Sequence, residues 1–118
     1  MKNTISFEDV WLELMKHFSR RRVIYTLVRK IRNDIISIEK DKIKVKSQMT
    51  NRIRTIPKSQ FKLVWERLSK QGYYVSKDHM PFVHSQIICS FLSELEDLVE
   101  VSYNPLTLRL KKDISKQL

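Results

Sequence analysis

Residues 57–75 read PKSQFKLVWERLSKQGYYV, and this stretch combines the pattern of a helix with that of a strand directly after it. Its apolar residues recur three and four positions apart, the spacing that places side chains on one helix face. They are Phe61, Val64, Trp65 and Leu68. Pro57 fits the first helical turn, because its missing N–H is not needed there. Gly72, the only glycine in the chain, stands where a left-handed residue commonly ends a helix, and Tyr73-Tyr74-Val75 predicts a short strand.

Downstream of this stretch, the helical spacing of apolar residues returns over residues 82–95. The first turn of that predicted helix exposes His84, Ser85 and Gln86 to solvent. Residues 98–111 then alternate apolar with polar side chains on either side of a central Asn-Pro pair. This alternation predicts a β-hairpin with one apolar face.

Upstream, residues 7–18 have another apolar stripe at helical spacing, and Ser6 can cap the N-terminus of that helix. Residues 23–28 are rich in β-branched and aromatic side chains, which favours a strand. A helix that continues through Lys30 is the alternative, because a short apolar run does not settle the period.

The residues between these helices predict a small antiparallel sheet. Asn33-Asp34 and Lys40-Asp41 have the composition of turns. Residues 42–46 alternate strictly, with two β-branched side chains on one face and three lysines on the other. Residues 49–55 are polar and predict a connection. The fold class is therefore α+β: an N-terminal helix, a small antiparallel sheet and then the unit that begins at Pro57.

From Pro57 to Lys111 the predicted order is helix, short strand, turn, helix and hairpin. This order resembles the winged-helix (winged helix-turn-helix) DNA-binding domain, over about half of the chain and by layout alone. The resemblance implies that the helix over residues 82–95 enters the major groove with its first turn and that Glu100 to Arg109 form a wing. It also implies a regulator of transcription. The helix itself contains no Lys or Arg.

We predict one compact basic domain over residues 1–111 and a basic tail over 112–118.

Charge is the strongest compositional feature, because 23 Lys and Arg against 13 Asp and Glu give a formal net charge of +10. The cations concentrate in two blocks that contain no acid, and most acids lie before residue 14 or after residue 93. Such segregation favours a phosphate-binding face, although a solvated lysine face gives the same pattern. The candidate phosphate contacts are Arg20, Arg21, Arg22, Arg29, Lys30, Arg32, Lys42, Lys44, Lys46, Arg52, Arg54, Lys58 and Lys62. The candidate base contacts are His84, Ser85 and Gln86.

Other kinds of site have little support in the sequence. Cys89 is the only cysteine, so neither a disulfide within the chain nor a cysteine zinc site can form, and a reducing, cytoplasmic location is expected. The three histidines lack the neighbouring ligands of a metal site. The chain has no phosphate-binding glycine loop, no dinucleotide fingerprint and no nucleophile motif. We therefore predict a protein without a cofactor, metal or enzymatic activity.

Taken together, these features predict a nucleic-acid-binding protein that contacts duplex DNA through phosphates, with one helix in the groove. Two alternatives remain open. One is a protein-interaction module, which either forms a homodimer or docks an acidic partner on its basic face. The other is an RNA-binding component, in which the strand lysines and the tyrosines have the larger part. A membrane partner is not expected, because no apolar stretch is long enough to span one.

Overall fold

Three helices and two antiparallel sheets make up residues 6–76 and 84–111, the parts of the chain that the computed structural model describes. The helices are α1 (Phe7–Phe18), α2 (Lys58–Gln71) and α3 (Ser85–Ser93). The first sheet has the order β1 (Val23–Tyr25), β2 (Arg32–Glu39), β3 (Lys42–Ser47) and β4 (Ile53–Pro57). The second sheet contains β5 (Tyr73–Val75), β6 (Val99–Ser102) and β7 (Thr107–Leu110), in the order β5-β7-β6. The α+β class and the order of an N-terminal helix before the strands are confirmed.

The helix ends follow the capping residues in the sequence. Ser6 Oγ accepts a hydrogen bond from the Asp9 N–H at 3.2 Å, which satisfies one free donor at the start of α1. Pro57 occupies the N-cap of α2 with extended backbone, so the helix begins one residue later than predicted. Gly72 ends α2 in the left-handed conformation, with φ of 84°, and its N–H donates to the Leu68 carbonyl at 2.8 Å.

The first strand is shorter than predicted, and the alternative of a helix through Lys30 is wrong. Strand β1 ends at Tyr25, and the chain then turns back on itself. Thr26 closes this turn, because its N–H donates to the Ile31 carbonyl and its Oγ1 accepts from the Ile31 N–H, both at 2.9 Å. Lys30 adopts a left-handed φ of 57°, which a helix does not allow.

The turn predicted at Asn33-Asp34 is wrong, because both residues lie inside β2. Asn33 is buried and pairs with Ile24 on one side and Ser47 on the other, while its amide donates to the Ile31 carbonyl. The chain already reverses its direction in the β1–β2 turn, so no second turn forms at Asn33 and Asp34. Two turn-forming residues are therefore held in the sheet by the strands on both sides.

The polar connection predicted over residues 49–55 is wrong in its second half. Strand β4 begins at Ile53 and pairs with β3 along its whole length. Only Ile56 among the β4 side chains is buried, since β4 is an edge strand with one side chain in the core. Such a strand lacks the alternating apolar pattern that sequence inspection requires.

One continuous core joins the helices to the inner face of the first sheet. Aromatic rings connect the three helices. The ring centroid of Trp11 in α1 lies 5.3 Å from that of Phe61 in α2, which lies 5.6 Å from the ring centroid of Phe91 in α3. Phe91 in turn lies 5.0 Å from Phe18 at the end of α1. From the sheet, the core receives Ile24, Ile35, Ile43, Val45 and Ile56.

The second sheet contains the predicted hairpin. Strands β6 and β7 pair in antiparallel register from Val99–Leu110 to Ser102–Thr107, and β5 pairs with the other edge of β7. The described part of α3 begins at Ser85, so the predicted start of this helix at residue 82 lies outside the described residues, as does the tail over 112–118.

Candidate nucleic-acid interface

Two turns at one end of the first sheet, together with the start of β4, bring four cations together. The β1–β2 turn and the β3–β4 turn are neighbours, because the Gln48 N–H donates to the Arg32 carbonyl at 2.9 Å. We call the cations of this end the basic tip. They are Arg29, Lys30, Arg52 and Arg54, all exposed. Within residues 6–76 and 84–111, no carboxylate forms an ion pair with any of the four.

The basic tip adjoins both the first turn of α3 and the turn of the β6–β7 hairpin. Lys30 Nζ lies 5.8 Å from the ring centroid of Tyr103, which is in the hairpin turn. Arg54 lies close enough to His84, at the N-cap of α3, for its charge to lower the pKa of that imidazole. Three segments that are distant in sequence therefore form one surface: the tip, the start of α3 and the predicted wing.

The first turn of α3 is not exposed as predicted. Of its three candidate base contacts, only Gln86 is exposed. Ser85 is buried, and its Oγ donates to the Ser76 carbonyl at 3.1 Å and lies 3.2 Å from Ser76 Oγ. This pair of serines attaches α3 to the end of β5, which is why Ser85 cannot face a ligand. His84 is half-buried, and its Nδ1 is buried with no hydrogen-bond partner among the described residues.

The environment of His84 predicts a pH dependence of stability. Burial lowers the pKa of His84 below its usual value of 6.5, and the nearby Arg54 charge lowers that pKa further. The unfolded chain therefore takes up a proton near pH 6.5 while the folded chain resists it. We expect the free energy of unfolding to be unaffected by this group above about pH 6.5 and to fall as the pH falls from there through the folded-state pKa.

Urea unfolding of the wild type and of His84→Asn at pH 7.5 and pH 5.5 measures this effect. The variant is expected to lose less stability between the two pH values than the wild type, since asparagine does not titrate. The other histidines are unchanged in the variant, so the difference between the two proteins isolates His84. Equal losses in both proteins would contradict the assignment.

The three lysines of β3 lie on the opposite face of the first sheet from α3. Ile43 and Val45 point into the core that contains α3, so Lys42, Lys44 and Lys46 point away from it. Acids of β2 partly neutralise this row. Lys42 Nζ is 3.7 Å from Glu39 Oε1, and Lys46 stands directly opposite Asp34 in the ladder. The predicted lysine row exists, but it is separated from the first turn of α3 by the sheet.

The remaining candidate cations do not join the tip, and several have acidic partners. Arg21 Nη1 is 2.7 Å from Glu94 Oε1, and Arg32 Nε is 3.0 Å from Asp34 Oδ1. Lys58 Nζ is 2.9 Å from Glu8 Oε1 and also lies over the ring of Trp11. Arg20, Arg22 and Lys62 are exposed, the first two between α1 and β1 and the third on α2.

An acidic groove at the other end of α3 was not predicted. It lies between α1 and the residues that follow α3, and its carboxylates are Asp9, Glu13, Glu94, Glu96 and Asp97. Glu94 stands at the C-cap of α3, where the helix dipole disfavours an anion, and Arg21 and His17 stabilise its carboxylate. Glu94 is about 15 Å from His84 along the helix. The acidic groove and the basic tip therefore lie at opposite ends of α3.

Comparison with known proteins assigns no family. The chain matches no protein-family model, no curated protein and no solved structure. The predicted resemblance to winged-helix domains therefore rests on the order of the elements alone.

Residues 6–76 and 84–111 offer little to other kinds of site. No group of three or more His, Cys, Asp or Glu in these residues could hold a metal ion. Burial raises the pKa of Cys89 to about 12, against a smaller opposing effect of the hydrogen bond with Ser76. A thiol so strongly held in its neutral form is a core group, not a nucleophile. No helix in the described residues is long and apolar enough to cross a membrane.

Proposed function

We propose that this protein binds duplex nucleic acid, with DNA preferred, through the basic tip, the start of α3 and the hairpin turn. One observation supports this most: four exposed cations, none of them ion-paired with an acid of residues 6–76 or 84–111, adjoin the two elements that the winged-helix resemblance assigns to DNA. Phosphate contacts supply most of the affinity of such proteins, and an uncompensated cluster is worth more than paired surface charges.

The resemblance to a winged helix gains support from the order of the elements. Helix α2, strand β5, helix α3 and the β6–β7 hairpin follow one another, and β5 joins the hairpin in one sheet. The described part of α3 has no Lys or Arg, so the helix itself provides no positive charge for phosphates. The first sheet provides that charge, because Arg54 of β4 adjoins the N-cap of α3. Gln86 is the exposed side chain of the first turn that can read base edges, as glutamine does with adenine.

We propose that the protein acts by binding and recognition, as a regulator of transcription, and not by catalysis. The charge distribution also limits how DNA can lie on the protein. The acidic groove repels phosphates from the C-terminal end of α3, and the outer lysine row lies on the other side of the first sheet. A duplex is thereby directed to the N-terminal end of α3.

Fluorescence anisotropy with labelled duplex DNA at 50 to 300 mM salt tests the proposal. With about four phosphate contacts, log K should fall with log salt at a slope of about −3.6, so affinity falls about 10²-fold between 50 and 200 mM. Hairpin RNA and single-stranded DNA as competitors establish the preferred form. Affinity that does not change with salt contradicts phosphate binding, and stronger competition by hairpin RNA favours the RNA-binding alternative.

A further inference from the structure

The two turns of the basic tip also expose large apolar side chains. Val28 in the β1–β2 turn is 52% exposed, and Met49 in the β3–β4 turn is 56% exposed. Arg29 Nη2 lies 4.0 Å from Met49 Sδ, so the two turns meet at this contact. Single exposed apolar residues are common on proteins, but here two stand on adjoining turns among the four exposed cations of the tip.

Hydrogen bonds hold both turns in defined conformations. In the β3–β4 turn, Ser47 Oγ accepts from the Met49 N–H at 3.2 Å, and the Asn51 N–H donates to the Ser47 carbonyl at 2.8 Å. In the β1–β2 turn, the Lys30 N–H donates to the Thr26 carbonyl at 3.0 Å. The exposed apolar side chains are therefore presented by ordered backbone, which reduces the entropy lost when they bind.

We propose that Val28 and Met49 insert between base pairs from the minor groove of duplex DNA and bend it, while Arg29, Lys30 and Arg52 contact the flanking phosphates. This inference rests on the proposed function and adds the mode of binding. Apolar wedges beside basic side chains are how minor-groove proteins unstack a base step and kink the duplex. Pyrimidine–purine steps such as TA unstack most easily, and a narrow A·T-rich minor groove attracts arginine.

An anionic membrane surface is the other partner that combines negative charge with an apolar interior, and the surroundings of the tip disfavour it. Next to the tip contacts His84 and Tyr103 in the chain stand Gln86 of α3 and Asn104 of the hairpin turn, both exposed and polar. Insertion into lipid would press these amides against the bilayer, whereas DNA provides hydrogen-bond partners for them. The duplex is therefore the occupant that fits the whole surface.

The test uses a 30-base-pair duplex with a central TA step in an A·T-rich stretch. A fluorophore pair at its ends reports bending by energy transfer, and 2-aminopurine at the TA step reports unstacking. The wild type is expected to bring the ends closer and to increase the 2-aminopurine signal. The double variant Val28→Ala/Met49→Ala is expected to bind about 10-fold more weakly with an unchanged salt slope, and to lose both signals.

The control is Leu12→Ala, which removes an apolar side chain that is 57% exposed on α1, away from the tip. It is expected to bend DNA as the wild type does. Binding by the wild type without bending or unstacking overturns the wedge and leaves the proposed function intact, whereas failure of the wild type to bind duplex DNA at 50 mM salt overturns both. Binding to phosphatidylserine vesicles that requires Val28 and Met49, without DNA bending, also overturns the wedge.

Discussion

Replacement of all four basic-tip cations by glutamine is expected to lower the affinity for duplex DNA about 10³-fold at 0.1 M salt. Each phosphate contact contributes about 0.9 to the slope of log K against log salt, so four contacts account for about 3.6. The variant should therefore show a nearly flat salt dependence as well as weak binding. Anisotropy titrations of the wild type and the variant at four salt concentrations measure both quantities.

The matched control replaces Lys42, Lys44 and Lys46 by glutamine. It removes a similar number of charges from the outer face of the first sheet, where acids of β2 already neutralise part of the row. We expect a loss of less than about 10-fold, because only the general field of the protein changes. Equal losses in the two variants would mean that binding is spread over the whole basic surface and that the tip is not the site.

The largest effect on stability is expected from Phe91→Ala. The Phe91 side chain is fully buried and contacts rings from both other helices, at 5.0 Å from Phe18 and 5.6 Å from Phe61. Truncation of such a residue leaves a cavity and buries less apolar surface. Together these effects lower the free energy of unfolding by about 3–5 kcal/mol. That is a large fraction of the 5–15 kcal/mol typical of a whole domain. Urea unfolding monitored by circular dichroism measures the change.

Leu63→Ala is the control for this prediction. Leu63 lies on α2 and is 46% exposed, so its truncation should change the free energy of unfolding by less than about 0.5 kcal/mol. A loss below about 1 kcal/mol for Phe91→Ala would show that the three helices do not depend on this ring for their packing.

The sequence predicted the elements whose pattern is local. Four apolar residues at helical spacing between Pro57 and Gly72 placed α2 to within one residue, and strict alternation placed β3. Strand β4 was not predicted, because an edge strand with one buried side chain has no alternation of apolar and polar residues. The turn at Asn33-Asp34 was wrong because pairing on both sides outweighed local turn preference. These errors arise from interactions between strands, which a pattern along the chain does not contain.

The candidate site was predicted in its composition but not in its arrangement. The two basic blocks contain every member of the tip, and the sequence assigns Arg52 and Arg54 to a connection and the lysines to a strand, yet it does not show that they face different sides of the sheet. That separation depends on which side of a sheet each residue occupies. Likewise, Arg54 and His84 come together only through packing, and Ser85 is buried against Ser76, the residue that follows β5. The sequence already places Glu94, Glu96 and Asp97 at the C-terminal end of the predicted third helix, but the groove that they form with Asp9 and Glu13 of α1 required the fold.

The separation of the basic tip from the acidic groove along α3 gives the molecule an electric dipole moment in addition to its net charge. In the field of a polyanion, such a molecule experiences a torque as well as an attraction, and it turns the tip forward before contact. A larger share of its collisions then begins in the productive orientation, which raises the association rate more than the lifetime of the complex. Exchange of the acids around the groove for neutral residues would raise the net positive charge and yet remove part of this orientation, so overall attraction and correct encounter would change in opposite directions.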